Sequence, residues 1–92
     1  MAKFLHVALG FVGKPVDIVE IQKAFSGSGW ARYAPNCWIL YSDYTPVVLV
    51  ERLRALCQTG DSIFVCEIDM HNNWGYLQKE IWDWINVGKS SS

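Results

Sequence analysis

The chain has 92 residues, of which 51% are hydrophobic and 14% aromatic, and its formal net charge is −1 at pH 7. We expect one domain with one apolar core, because this length leaves no room for a second core. The eight Lys and Arg residues are scattered along the chain. A long nucleic acid is therefore a less favourable partner, since tight binding to one needs clustered positive charge.

The three cysteines are odd in number and form no CxxC pair, so they indicate neither a disulfide framework nor a zinc site. They lie in apolar runs, where a free thiol behaves as a small hydrophobic side chain. No apolar segment reaches the roughly 18 residues needed to span a bilayer, and the N-terminus lacks the features of a secretion signal. The sequence therefore predicts a cytoplasmic protein with no membrane partner.

The first predicted element is a strand, because apolar residues alternate through Lys3–Val12, with apolar side chains on both faces. The stretch ALGFVGKP at its end contains two glycines and a lysine, as phosphate-binding loops do. A Walker loop needs GxxxxGK followed by Ser or Thr, but here the glycines are three residues apart and Pro15 follows Lys14. We therefore expect the strand to turn directly into a helix, with no phosphate bound.

A short helix is predicted over Val16–Phe25, with a proline just before it. Ile18 and Ile21 share its apolar face with Phe25. The sequence SGSG at 26–29 should end the helix, since glycine is the usual residue at that point. The alternative is an anion-binding nest of backbone amides, but it would lack the dipole of a helix N-terminus.

The segment WARYAPNCWILYS predicts two short strands joined by a tight turn at Pro35 and Asn36. A two-residue loop would place Arg32 opposite Ile39, and Tyr33 opposite Trp38. The core face would then hold Ala31, Tyr33, Trp38 and Leu40, and the other face Trp30, Arg32, Ile39 and Tyr41. A shift of one residue in this pairing would reverse every assignment.

The second helix is predicted to begin at Pro46, because Thr45 is a good N-cap residue and proline suits the first turn. Its buried stripe would consist of Leu49, Leu53, Leu56 and Cys57. Gly60 is expected to close the helix.

The sequence SIFVCEID predicts the last strand, with Phe64, Cys66 and Ile68 on one face and Ile63, Val65, Glu67 and Asp69 on the other. Glu67, Asp69 and His71 recur at every second residue. With His6 on a neighbouring strand, they could hold a divalent metal or act as acid and base. The spacing is equally that of a solvated strand end, so we expect no catalytic residue, no metal and no cofactor.

The sequence NNWGYLQKEIWDWI predicts a C-terminal helix with asparagine caps. Its apolar stripe would comprise Trp74, Leu77, Ile81, Trp84 and Ile85. Trp82 lies off this stripe and is a candidate contact residue. The domain is therefore expected to span residues 1–87, with a flexible tail at 88–92.

The predicted order is strand, helix, strand, strand, helix, strand and a final helix. Right-handed connections turn this order into a ferredoxin-like β-α-β-β-α-β fold of the α+β class, with two helices on one face of an antiparallel sheet. The other face would carry Phe4, Trp30, Ile39, Tyr41, Ile63 and Val65. Such an apolar face must be covered by a second subunit, the C-terminal helix or a ligand.

The candidate ligand-binding residues are Trp30, Arg32, Tyr41 and His6. Aromatic rings on a shared face could stack on a base while the guanidinium meets a phosphate. The same composition is typical of the core of a protein interface. We favour the interface, because the net charge is low and homo-oligomers commonly bury such faces.

The stretch GWARYAPNCWILYSDYTPVVLVERLRALCQTGDSIFVCEI resembles the small ferredoxin-like proteins related to the second CRISPR-associated adaptation subunit, including the stand-alone SinR-like group. The shared features are a tryptophan-bearing hairpin, an acidic-x-Thr-Pro helix start, a Leu- and Arg-rich helix and a strand with Gly60, Asp61, Phe64 and Val65. The resemblance implies homodimers formed through the sheets. Members with nuclease activity carry an aspartate at the end of the first strand, where ALGFVGK has no acidic residue.

Two functional hypotheses follow. In the first, the chain is a non-enzymatic, homodimeric binding or inhibitor-type protein from a defence system or mobile element. It would contact a protein partner or a small nucleotide through its aromatic surfaces. In the second, it is a divergent metal-dependent nuclease that uses Glu67, Asp69 and His71.

Overall fold

The structure is a computed structural model and describes residues 2–91. Within that range the elements are β1 (Lys3–Gly10), α1 (Ile18–Lys23), β2 (Gly29–Ala34), β3 (Cys37–Ser42), α2 (Pro46–Arg54), β4 (Ser62–Glu67) and α3 (Lys79–Ser91). The strands form one open antiparallel sheet in the order β2-β3-β1-β4. The protein therefore has a small α+β fold, with β1 and β3 at the centre of the sheet and β2 and β4 at its edges.

One face of the sheet, called the first face below, packs against α1 and α2. Its buried core consists of Leu5, Val7, Leu9, Ile21, Ala24, Phe25, Trp38, Leu40, Leu49 and Leu53. The alternation predicted for β1 is thus confirmed, because its odd-numbered leucine and valine side chains all enter this core. Trp38 and Leu40 face the core as expected.

Helix α2 begins where the sequence predicts. The Thr45 side chain accepts a hydrogen bond from the Val48 amide, and Pro46 is the first helical residue. The helix ends at Arg54, well before Gly60. Gly60 instead serves the loop into β4, where its φ of +96° suits glycine.

Helix α1 is shorter than predicted, and it begins two residues later because Asp17 caps it. The Asp17 carboxylate accepts a hydrogen bond from the Val19 amide at 2.8 Å, and the helix runs only over Ile18–Lys23. Phe25 lies in the turn that follows and is fully buried. Residues 11–17 form an irregular connection, so β1 does not turn directly into the helix.

The opposite face, called the second face below, is covered by α3 and the segment before it. Phe4, Ile39, Met70 and Ile85 are buried there, and they are flanked by Tyr41, Ile68, Leu77, Ile81, Trp82 and Trp84. Of the three covers considered for this face, the C-terminal helix is the one present. Helix α3 continues through Ser91, so residues 88–91 are helical where a loose tail is predicted; residue 92 lies outside the described residues.

Strand β4 presents the opposite faces from those predicted. Ile63 pairs with Leu9, and Val65 with Val7. Because paired residues share a face, both side chains point to the first face and pack on its core. Their expected place on the second face is wrong, since both alternating sets in SIFVCEID are apolar and periodicity cannot choose between them.

The hairpin of β2 and β3 has its turn at Pro35 and Asn36, as predicted, but the pairing is shifted by one residue. Arg32 lies opposite Trp38, so the predicted pairing of Tyr33 with Trp38 is wrong. A β-bulge between Arg32 and Ala34 absorbs the extra residue. Trp30 and Arg32 therefore lie on the first face.

Candidate functional site

The structure does not gather the four predicted ligand-binding residues into one platform. The strand register places Trp30 and Arg32 on the first face and His6 and Tyr41 on the second. Tyr41 packs beside Phe4, with ring centroids 4.9 Å apart, within the core beneath α3. Trp30 remains 40% exposed at the sheet edge.

His6 has a different partner from those expected. Its Nε2 atom lies 2.5 Å from the hydroxyl oxygen of Tyr33, on the second face. Without the bulge, the pairing that begins with Ala34 opposite Cys37 would have placed Tyr33 opposite Trp38, on the first face and away from His6. Burial lowers the pKa of His6 below its ordinary value of 6.5.

Sequence reasoning placed Tyr33 in the core and so missed it as a site residue. The sequence WARYAP gives no sign of a bulge, because it lacks the glycine that marks a G1 bulge. Burial raises the pKa of the Tyr33 hydroxyl, and a hydrogen bond with the Cys37 thiol adds to the effect. The Tyr33 hydroxyl, which contacts the His6 imidazole, therefore gives up its proton less readily than a free tyrosine does.

A groove runs between β2 and the start of α3, and we call it the aromatic groove. It is lined by Arg32, Tyr33, Tyr76, Leu77, Gln78 and Ile81 and has a volume of about 390 Å³. Because β2 is an edge strand, side chains from both of its faces reach this opening. Leu77 and Ile81 also pack on the second core, so the apolar part of the lining is firmly supported.

Arg32 supplies the positive charge of the aromatic groove. Its Nε and Nη2 atoms both donate to the carbonyl oxygen of Pro35, at 3.1 and 2.9 Å. Among residues 2–91, no carboxylate lies within salt-bridge distance of its guanidinium. The side chain is therefore held in position by an uncharged partner, and its charge is not neutralised.

The segment before α3, residues 71–78, is called the aromatic loop below. Trp74 and Tyr76 are 95% and 98% exposed in it. The expectation that Trp74 belongs to the helical stripe is wrong, because α3 begins only at Lys79 and the helical spacing does not extend back to residue 74. Trp82, predicted as a contact residue, instead packs on the second core.

The predicted acidic site is not assembled. Strand β4 ends at Glu67, which faces the first face opposite Leu5 and pairs with Lys3 at 3.1 Å. Asp69 binds His71, whose backbone amide is the main cause of the lowered pKa of Asp69. Among residues 2–91, no three His, Cys, Asp or Glu side chains are close enough together to hold a metal ion.

A carboxylate does lie near the end of β1, but it comes from another loop. Asp61 accepts hydrogen bonds from the backbone amides of Val12, at 3.0 Å, and Gln58, at 2.9 Å. Each of its oxygens thus binds the backbone of a different connection. In this position Asp61 joins the loop after β1 to the loop before β4.

Comparison of the chain with protein-family models, with curated proteins and with solved structures finds no match. As for a membrane, no helix within residues 2–91 combines the length and the apolar character needed to cross one.

Proposed function

We propose that the protein is a non-enzymatic binding protein of the inhibitor type, which engages a protein partner through the aromatic loop. The observation that carries this proposal is the nearly complete exposure of Trp74 and Tyr76, 95% and 98%, two residues apart in one loop. Exposed aromatic side chains are costly in water and form the strongest contacts of protein interfaces. A partner that buries both would gain most of its binding energy there.

The composition of the aromatic loop favours a protein over a nucleic acid as partner. The sequence HNNWGYLQ contains no Lys or Arg, whereas a phosphate backbone is bound chiefly through cations. Two asparagines and a glutamine provide neutral donors and acceptors around the aromatic rings. An aromatic centre with a polar rim is the usual arrangement of a protein interface.

The aromatic loop is held at both ends, which lowers the entropy lost on binding. The Asn73 side chain donates to the carbonyl oxygen of Met70 at 2.5 Å, and Met70 is buried in the second core. At the other end Leu77 packs on the same core. Between these two contacts the rings of Trp74 and Tyr76 are almost fully exposed to solvent.

The finer fold assignment belongs to the same proposal. The fold is ferredoxin-like, a view supported by the strand order β2-β3-β1-β4 and by the packing of α1 and α2 on one face. The relationship to the CRISPR-associated and SinR-like proteins, the defence or mobile-element context and the cytoplasmic location are proposed with it.

A homodimer is also proposed, through the edge strand β4. Helix α3 already covers the second face, which the sequence predicts as a possible dimer interface. Phe64 on β4, however, is 60% exposed. An edge strand with an exposed aromatic side chain is a template for pairing with a second copy. Light scattering on the purified protein tests this, and a monomer at micromolar concentration would contradict it.

The partner-binding proposal is tested by affinity capture with chemical cross-linking in cells of the source organism. The tagged wild type should enrich a defined protein, and the double variant Trp74→Ala/Tyr76→Ala should lose at least about tenfold of that signal. The control variant is Val47→Ala, which removes an exposed apolar side chain from α2, away from the loop. Equal recovery by wild type and double variant would refute the proposal.

A further inference from the structure

We propose that the aromatic groove binds a nucleoside monophosphate, with the base stacked on Tyr33 and Tyr76 and the phosphate on Arg32. This inference goes beyond the partner-binding role, because it concerns a small ligand and does not involve Trp74. It rests on the size of the groove, the two aromatic rings in its lining and the charge of Arg32, which no described carboxylate neutralises.

The dimensions suit a small ligand. Small-molecule sites have volumes of about 300 to 1,000 Å³, and the groove, at about 390 Å³, lies at the lower end of that range. A ligand as small as a single nucleotide matches this volume, whereas an oligonucleotide would extend past the groove onto a loop that has no cation.

The lining presents one aromatic ring that is hydrogen-bonded through its hydroxyl and one that is almost fully exposed. The Tyr33 hydroxyl lies 2.5 Å from His6 Nε2, and this contact holds the end of the side chain on the second face. Tyr76 is 98% exposed, so a ligand that stacks on it removes apolar surface from water without displacing any protein contact. Stacking on such rings accepts any base, since every base has a π-face.

The polar groups of the groove match the rest of a nucleotide. Arg32 keeps its charge, and the donors of Nη1 are not used by the Pro35 carbonyl. Guanidinium donors bind phosphate oxygens with charge-assisted hydrogen bonds. Gln78 carries both an amide donor and an acceptor, the pair of groups needed to bind the edge of a base.

A single phosphate is favoured because the lining contains one cation. Lys79, next along the chain, is paired with Asp83 at 2.7 Å and does not line the groove. A diphosphate or triphosphate would place further charges where no described lining residue compensates them.

The experiment is calorimetric titration of the purified protein with AMP, GMP, CMP and UMP, with the four nucleosides and with inorganic phosphate. At least one nucleotide should bind with a Kd below the millimolar range, and its nucleoside should bind about tenfold more weakly or worse. Failure of all four nucleotides to bind at millimolar concentration would overturn the proposal, as would equal affinity for nucleotide and nucleoside.

Three variants locate the site. Tyr76→Ala should weaken nucleotide binding by about tenfold, and its exposed position leaves the fold intact. Arg32→Gln, which can still donate to Pro35, should abolish the preference for nucleotide over nucleoside. Trp74→Ala, the matched control from the same loop, should bind as the wild type does. Unchanged affinity in Tyr76→Ala, or a retained preference in Arg32→Gln, would refute the site.

The control variant also separates the two proposals. Partner capture depends on Trp74 as well as Tyr76, whereas nucleotide binding depends on Tyr76 and Arg32. A chain that binds nucleotide but captures no partner would refute the proposed function alone, and the converse result would refute only the nucleotide site.

Discussion

Gly88 of α3 lies against the ring of Phe4 in β1, so closely that a Cβ atom at position 88 would come within 2.6 Å of Phe4 Cζ. Phe4 is buried and edge-on to Trp84, with ring centroids 6.0 Å apart, so its ring has little room to move away. The last helix is therefore fitted to the first strand at a point where only glycine leaves enough space. This contact explains a glycine in the interior of a helix, where it is otherwise unfavourable.

We predict that Gly88→Ala lowers the free energy of unfolding by about 1 kcal/mol. Overpacking typically costs about 1 to 3 kcal/mol, and the better helix propensity of alanine offsets about 1 kcal/mol of that. Urea unfolding measures the change. Gly75→Ala is the control, because a Cβ there meets no atom within 4 Å. A Gly88→Ala protein more stable than the wild type by about 1 kcal/mol, the gain from helix propensity alone, would show that α3 does not pack as described.

Asp61→Asn should lower the free energy of unfolding by about 1 kcal/mol. The substitution replaces one of the two carboxylate oxygens that bind the Val12 and Gln58 amides with a donor. Asp83→Asn is the matched control, since it alters only an exposed ion pair with Lys79, worth a few tenths of a kcal/mol. Equal effects of the two substitutions in urea unfolding would mean that Asp61 does not join the two loops.

The orientation of β4 is tested by a pair of neighbouring substitutions. Val65→Asn places an amide against the core of the first face and should cost about 2 to 3 kcal/mol. Phe64→Asn changes a side chain that is 60% exposed and should cost about 1 kcal/mol or less. Thermal unfolding ranks the two variants. The reverse order of stability would support the orientation first predicted for this strand.

Local signals explain which parts of the fold could be predicted. Thr45 followed by Pro46 marks a helix start without reference to any other element, and α2 begins there. The alternation in β1 likewise predicts its two faces correctly. Leu5, Val7 and Leu9 on one face form a more strongly apolar set than the residues that alternate with them, which include His6. Such features depend on a few adjacent residues, so a single sequence contains the information.

The failures concern relations between elements. The pairing of β2 with β3 is off by one residue because a bulge at Tyr33 has no mark in the sequence. The predicted pairing therefore puts Trp30 and Arg32, half of the predicted ligand site, on the second face and Tyr33 on the first, each opposite to its place in the structure. The apolar spacing of α3, continued past its N-terminus, wrongly predicts that Trp74 belongs to the buried stripe. An irregular loop with exposed aromatic residues departs from the usual rules, as functional surfaces do.

His6 should make the stability of the protein depend on pH below its ordinary pKa of 6.5. Burial lowers the pKa of His6 in the folded chain, so the unfolded chain binds a proton more readily as the pH falls. The free energy of unfolding should therefore decrease from about pH 6.5 downward and be independent of His6 above that value. His6→Gln should reduce this decrease, because glutamine does not titrate.

Urea unfolding at neutral pH and at about pH 5 measures how much the free energy of unfolding falls on acidification in the wild type and in His6→Gln. Tyr33→Phe is the matched comparison, since it removes the hydroxyl that binds His6 but leaves the imidazole in place. It should cost about 1 kcal/mol at both pH values and retain the pH dependence that His6→Gln loses. If His6→Gln and the wild type lose stability equally on acidification, the imidazole is not desolvated on the sheet.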